Sequence, residues 1–121
     1  MAGHKFKIGV IGAGMIANAG HIPGWKNLPD DVEIAAVANP TLEKARMTAD
    51  NEGIAHVYGD WQQMLAEIEP DIVSICTPNA YHCEQAIAAF EAGAHVFCEK
   101  PIATSYREAA AMYAAAEAVE R

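Results

Sequence analysis

Long apolar runs are missing from these 121 residues. None approaches the ~20 residues that a bilayer-spanning helix needs, so no membrane association is expected. Basic residues are scarce: 8 Lys and Arg stand against 16 Asp and Glu, a formal net charge of -8. A general nucleic-acid binder needs a basic face to neutralise phosphates, so that class is set aside. One bound dinucleotide is not excluded by the charge, because backbone N–H groups can hold its phosphates. Cysteine is limited to Cys76, Cys83 and Cys98, an odd count without a C-x-x-C pair. Cys76 and Cys98 stand in apolar strand-like runs, where a free thiol behaves as a small hydrophobe. A reduced, cytoplasmic protein is the simplest reading. The histidines (His4, His21, His56, His82, His95) are scattered without ligand spacing, so no metal site is expected. The polar start, Met1 to Lys7, lacks the layout of a secretory leader. Internal repeats and low-complexity tracts are also absent.

What is present is an alternation of short apolar runs and helical patterns. Apolar residues make up 52 % of the chain, enough for a single core in one domain. Strands are expected at residues 7–12, 33–38, 55–58, 72–76 and 94–98. The first helix should open near Gly14 and break at Gly20, Pro23 and Gly24. Asn39-Pro40 reads as a helix start, with Asn39 as N-cap and a stop at Gly53. Asp60 caps a third helix with Trp61, Met64, Leu65 and Ile68 on its apolar face. A fourth runs from about Tyr81 to Gly93. A fifth starts near Ser105 and carries Tyr106, Ala109, Ala110, Tyr113 and Val119 at helical spacing.

The sum is βαβαβαβαβα, an α/β chain with a parallel sheet covered by helices on both faces. Ligands of such sheets bind at the carboxyl ends of the strands, near the switch point. Every candidate residue falls there. After strand one, Gly12 allows a tight turn and Gly14 lets a pyrophosphate approach the backbone. Met15 and Ile16 open the helix, and Ala17 stands where a third glycine often sits. Asn39 ends strand two, where an acidic residue would bind the adenosine ribose. Asn39 is either a ribose contact or purely a helix cap, and an amide does not repel a 2′-phosphate, so NAD and NADP both stay open. Thr77, Pro78 and Asn79 follow strand four, and Glu99-Lys100-Pro101 follows strand five.

Taken together, these passages resemble the N-terminal domain of the Gfo/Idh/MocA oxidoreductases, the glucose–fructose oxidoreductase and inositol dehydrogenase family. The resemblance is carried by Ile8 to Gly14, by Asp71 to Asn79 with His82, by Ala92 to Val96, and by Cys98-Glu99-Lys100-Pro101. It implies a Rossmann-type doubly wound sheet over residues 1–121 that binds a nicotinamide dinucleotide, NAD or NADP. It further implies that Lys100 reaches between nicotinamide and substrate and assists proton transfer. Thr77, Pro78 and Asn79 would line the nicotinamide half, and Glu99 would contact its ribose or orient Lys100. Pro101 would fix the turn, after a peptide bond that is often cis in the family. His82 is read evenly as a cofactor contact or a helix cap.

The family adds a sixth strand and a larger C-terminal substrate domain, so the chain resembles the first third of an enzyme. Binding of the cofactor without turnover is therefore expected, the whole enzyme acting on a sugar, cyclitol or related polyol. The alternative is a stand-alone dinucleotide-binding module, a redox sensor or a subunit completed by a partner. Self-association through the edge of the fifth strand is also expected, because that edge is apolar.

Overall fold

The computed structural model describes residues 5–100 and 102–119, so the turn and cis bond expected at Pro101 lie outside the described residues. Five strands form one parallel sheet in the order β3-β2-β1-β4-β5. They are β1 (Phe6–Ile11), β2 (Val32–Ala38), β3 (His56–Tyr58), β4 (Ile72–Ile75) and β5 (His95–Cys98). Connecting them are α1 (Ile22–Lys26), α2 (Leu42–Glu52), α3 (Trp61–Ile68) and α4 (His82–Glu91), and α5 (Tyr106–Ala118) follows β5.

The strands are apolar on both sides because both faces are covered. On one face Ile8, Val10 and Val37 pack with Ala17, Ile22, Ala45 and Ala49. On the other Ile11, Ala36, Val73 and Ile75 pack with Met64, Leu65, Ala86, Ala89 and Met112. Sequence order reverses at β1, which pairs with β2 on one side and β4 on the other. The carboxyl end of β1 is thus the switch point, and the glycine turn sits on it.

The expected punctuation holds at several ends. Gly53 takes a left-handed φ of 73° after α2. Asp60 Oδ1 accepts the Gln62 N–H at 2.9 Å at the start of α3. Ser105 Oγ accepts the Glu108 N–H at 3.2 Å while Glu108 Oε1 accepts the Thr104 N–H at 3.1 Å, a reciprocal cap worth about 1 kcal/mol.

Three expectations need correction. The first helix does not break at Gly20. It passes through a π-helical turn, Ala17–His21, in which the Ile22 N–H bonds the Ala17 carbonyl, and continues as α1. Pro23 lies in the first turn of α1, where a missing N–H costs little. The cap of α2 is Thr41 rather than Asn39. The last helix buries Met112, with Ala109 and Ala116 along the same groove, and leaves Tyr106 and Tyr113 exposed.

Among the described residues β5 is a sheet edge, paired with β4 alone. Its Val96 and Cys98 pack toward α4 and α5. Its His95 and Phe97 remain exposed.

Candidate functional site

The glycine turn is shaped by two different demands. Gly12 has φ 102°, and a Cβ there would lie 3.0 Å from the backbone carbonyl of Cys76. Only glycine fits between the ends of β1 and β4. Gly14 meets the opposite condition, since a Cβ built on it has nothing within 4 Å. Its bare backbone faces open space at the mouth of a groove. Met15 and Ile16 follow at the rim, Met15 being 83 % exposed. The N–H groups that open this helix have no carbonyl one turn earlier to bond, so they are free to meet an anion.

Asn39 braces this turn. Its Oδ1 accepts the Ala13 N–H at 3.0 Å, and its Nδ2 donates to the Thr41 carbonyl at 3.0 Å. An amide nitrogen carries two hydrogens, so one more donor remains at the end of β2. Lys44 of α2 lines the same groove. The groove holds about 440 Å³ between Gly12, Gly14, Asn39, Lys44, Thr77 and Pro78. Trp61, at the start of α3, lines it too. Trp61 also packs against the core, as its place on the apolar face of the helix predicts.

The far wall is the loop after β4. Thr77 Oγ1 donates to Gln85 Oε1 at 2.5 Å, which fixes the hydroxyl. His82 Nε2 donates to the Thr77 carbonyl at 2.8 Å, and the ring is 1 % exposed. His82 therefore holds the loop from beneath and does not face the groove. Beside the two roles read for it, cofactor contact and helix cap, the structure gives it this contact to the loop. A carbonyl can only accept, so the His82 proton is on Nε2. Asn79 Oδ1 is buried without a hydrogen-bond partner among the described residues.

The sequence reading missed a second cluster beside the first. His21 Nε2 lies 2.8 Å from Glu99 Oε2, and His21 Nδ1 lies 2.5 Å from Ser74 Oγ. Trp25 Nε1 donates to the same Ser74 oxygen at 3.1 Å. Phe97 packs against both rings, with centroids 5.0 Å from His21 and 5.6 Å from Trp25. His21, Trp25, Phe97 and Glu99 border a cavity of about 490 Å³ between α1 and the exposed side of β5. The hydrogen bond from His21, aided by the Lys100 backbone N–H, holds the Glu99 carboxyl below the usual carboxylate range. Lys100 is exposed at the end of β5. Among the described residues its ammonium forms no ion pair, while its backbone N–H bonds the Glu99 carboxyl, so Glu99 is held by both His21 and its neighbour. One sequence signal pointed here. Ser74 is a lone hydroxyl in the otherwise apolar run Ile72 to Cys76, and a buried hydroxyl needs a partner.

The cysteines stay outside the chemistry. Burial pushes the Cys76 thiol up to about 12 and the Cys98 thiol up to about 11. Both are neutral thiols at physiological pH, as the reading of them as small hydrophobes expects. No group of residues that could hold a metal ion occurs among the described residues.

The model of the Gfo/Idh/MocA oxidoreductase family, NAD-binding Rossmann fold, matches residues 6–121. The chain belongs to this family. It is 38 % identical over 112 residues to D-glucoside 3-dehydrogenase of Escherichia coli, covering 93 % of this chain and 32 % of the relative. Among solved structures it is similar to the WlbA dehydrogenase of Chromobacterium violaceum in complex with NADH and UDP-GlcNAcA. That match has a TM-score of 0.90 at 30 % identity and covers 97 % of this chain and 33 % of the other. It is also similar to a 3-ketoreductase from Actinomadura kijaniata in complex with TDP-benzene and NADP. Here the TM-score is 0.87 at 26 % identity, covering 95 % of this chain and 36 % of the other. The chain thus spans about a third of the length of the Gfo/Idh/MocA relatives it matches. No helix among its described residues is long and apolar enough to cross a membrane.

Proposed function

We propose that this domain holds a nicotinamide dinucleotide along the groove at the ends of β1, β2 and β4, for an oxidoreductase acting on a sugar, cyclitol or related polyol. The observation that carries this reading is Gly14, bare and facing open space at the switch point, beside a groove of about 440 Å³. The residues present fit the group. Helix-opening N–H groups suit the pyrophosphate. The spare Asn39 hydrogen suits a ribose oxygen. When bound, the nicotinamide ring exchanges hydride with a carbinol carbon. The chain's own part is to bind, to orient and to place the Lys100 ammonium where a hydroxyl proton is gained or lost. Titration calorimetry with NAD, NADH, NADP and NADPH tests the reading, and the absence of binding by all four would refute it.

Asn39 and Lys44 bear on the choice of cofactor. No carboxylate stands at the end of β2 to repel a 2′-phosphate, and Lys44 lines the groove. Little discrimination between NAD and NADP is expected. Asn39→Asp keeps an acceptor for Ala13 but turns a second oxygen toward the Thr41 carbonyl and the ribose. It should weaken NADP relative to NAD by about tenfold, roughly 1.4 kcal/mol of like-charge repulsion. Wild-type rejection of NADP in the same titration would show that Asn39 is not the determinant.

The apolar edge of β5 is proposed to pair between copies. Backbone groups along His95–Cys98 template another strand, and Phe97 is exposed beside them. Light scattering after size exclusion should show dimer growing with concentration. A clean monomer at high concentration would overturn this.

A further inference from the structure

We propose that His21 is a positioning residue for Lys100 and acts through Glu99. The proposal rests on the placement of Lys100 in the reacting centre, and it adds a residue that is not needed to bind the dinucleotide. Its warrant is the directed order of four hydrogen-bonding groups. An ionised Glu99 carboxylate only accepts, so the His21 nitrogen 2.8 Å away carries the proton, on Nε2. Trp25 Nε1–H only donates, and it donates to Ser74 Oγ. With that oxygen accepting, the Ser74 hydroxyl hydrogen turns to His21 Nδ1 at 2.5 Å. The order Trp25 to Ser74 to His21 to Glu99 gives every link one donor and one acceptor. It selects the imidazole arrangement with a proton on Nε2.

The network is built to hold. Ser74 is fully buried and His21 is 7 % exposed, so the bonds that meet at Ser74 work in a low dielectric, while the Glu99 end reaches solvent. Phe97 closes over His21 and Trp25. The π turn, Ala17–His21, also takes on a purpose. With one residue fewer in that turn, His21 would swing by about 100° and leave Ser74 and Glu99. The consequence is mechanical. His21 stands on the helix that opens at Gly14, and Glu99 adjoins Lys100. The network therefore ties the pyrophosphate cradle to the strand end that carries the amine, fixing the distance between the two.

The test is nuclear magnetic resonance on the 15N-labelled 121-residue chain. Long-range proton–nitrogen correlations should place the His21 proton on Nε2. His21→Leu should raise the exchange rate of the Lys100 amide about tenfold, the weight of one charge-assisted hydrogen bond, while the Val73 and Ile75 amides keep theirs. His21→Gln can still donate to Glu99 and should restore most of the protection. A proton on Nδ1 with Nε2 bare would overturn the proposal. So would a folded His21→Leu chain whose Lys100 amide exchanges at the wild-type rate, or a His21→Gln chain that exchanges as fast as His21→Leu. If His21→Leu does not fold, the wild-type tautomer and His21→Gln decide. None of these readouts needs a ligand, so failure of dinucleotide binding would sink the proposed function and leave this result standing.

Discussion

Gly14→Val is expected to abolish dinucleotide binding while the domain stays folded. The two halves of that expectation come from the same observation. A side chain at Gly14 meets nothing within 4 Å in the folded chain, so the native packing accommodates it. The space it fills is the space through which a pyrophosphate would approach the backbone. Two branched methyl groups there keep the phosphates from the helix-opening N–H groups, and the anion loses both contact and dipole. Calorimetry should show no heat of binding, and the far-ultraviolet spectrum and melting temperature should match wild type. Wild-type affinity in a folded Gly14→Val chain would place the cofactor elsewhere. Gly12 would be the wrong choice for this experiment. Its φ of 102° and the 3.0 Å approach to Cys76 mean that a side chain there strains the fold itself. The cost is about 1–3 kcal/mol for the backbone before any clash is counted.

What could be read from the sequence was local. The strands announce themselves as short apolar runs, and most helix ends carry their own signal within four residues, as Asp60 and Ser105 do. The glycine turn was legible because both glycines act on neighbouring backbone. The relay around His21 was not, because its partners are 53 and 78 residues away in the chain. Nothing in the spacing of the histidines marks His21, and only the sheet order brings Ser74 and Glu99 to it. The sequence also misjudged the first helix. Gly20 and Pro23 are breakers by composition, yet the π turn carries the chain past both, and packing of Ala17 and Ile22 on the sheet outweighs their propensity. His82 was legible only as an even choice between cofactor contact and helix cap, because its bond to the Thr77 carbonyl depends on how the loop after β4 folds.

A polypeptide of these 121 residues is expected to bind the cofactor without oxidising any polyol. Lys100, proposed above to meet the reacting hydroxyl, is exposed at the end of β5. Catalysis of hydride exchange needs the substrate carbon held about 3–3.5 Å from the ring, and that positioning supplies much of the rate. The described residues supply the groove proposed for the cofactor and the relay proposed to steady the Lys100 turn. Neither the groove nor the His21 cavity is lined by Lys100. Water also reaches the amine freely, which weakens its electrostatic effect on a developing alkoxide. Lys100→Ala should therefore leave both the affinity for the dinucleotide and the absent turnover of the 121-residue chain unchanged. Placed in a relative's full-length framework, the same change should lower kcat by about 10²–10⁴-fold, the span of a lost acid–base group. Production of NADH or NADPH from a polyol by the 121-residue chain, lost on Lys100→Ala, would show that these residues form a complete active site.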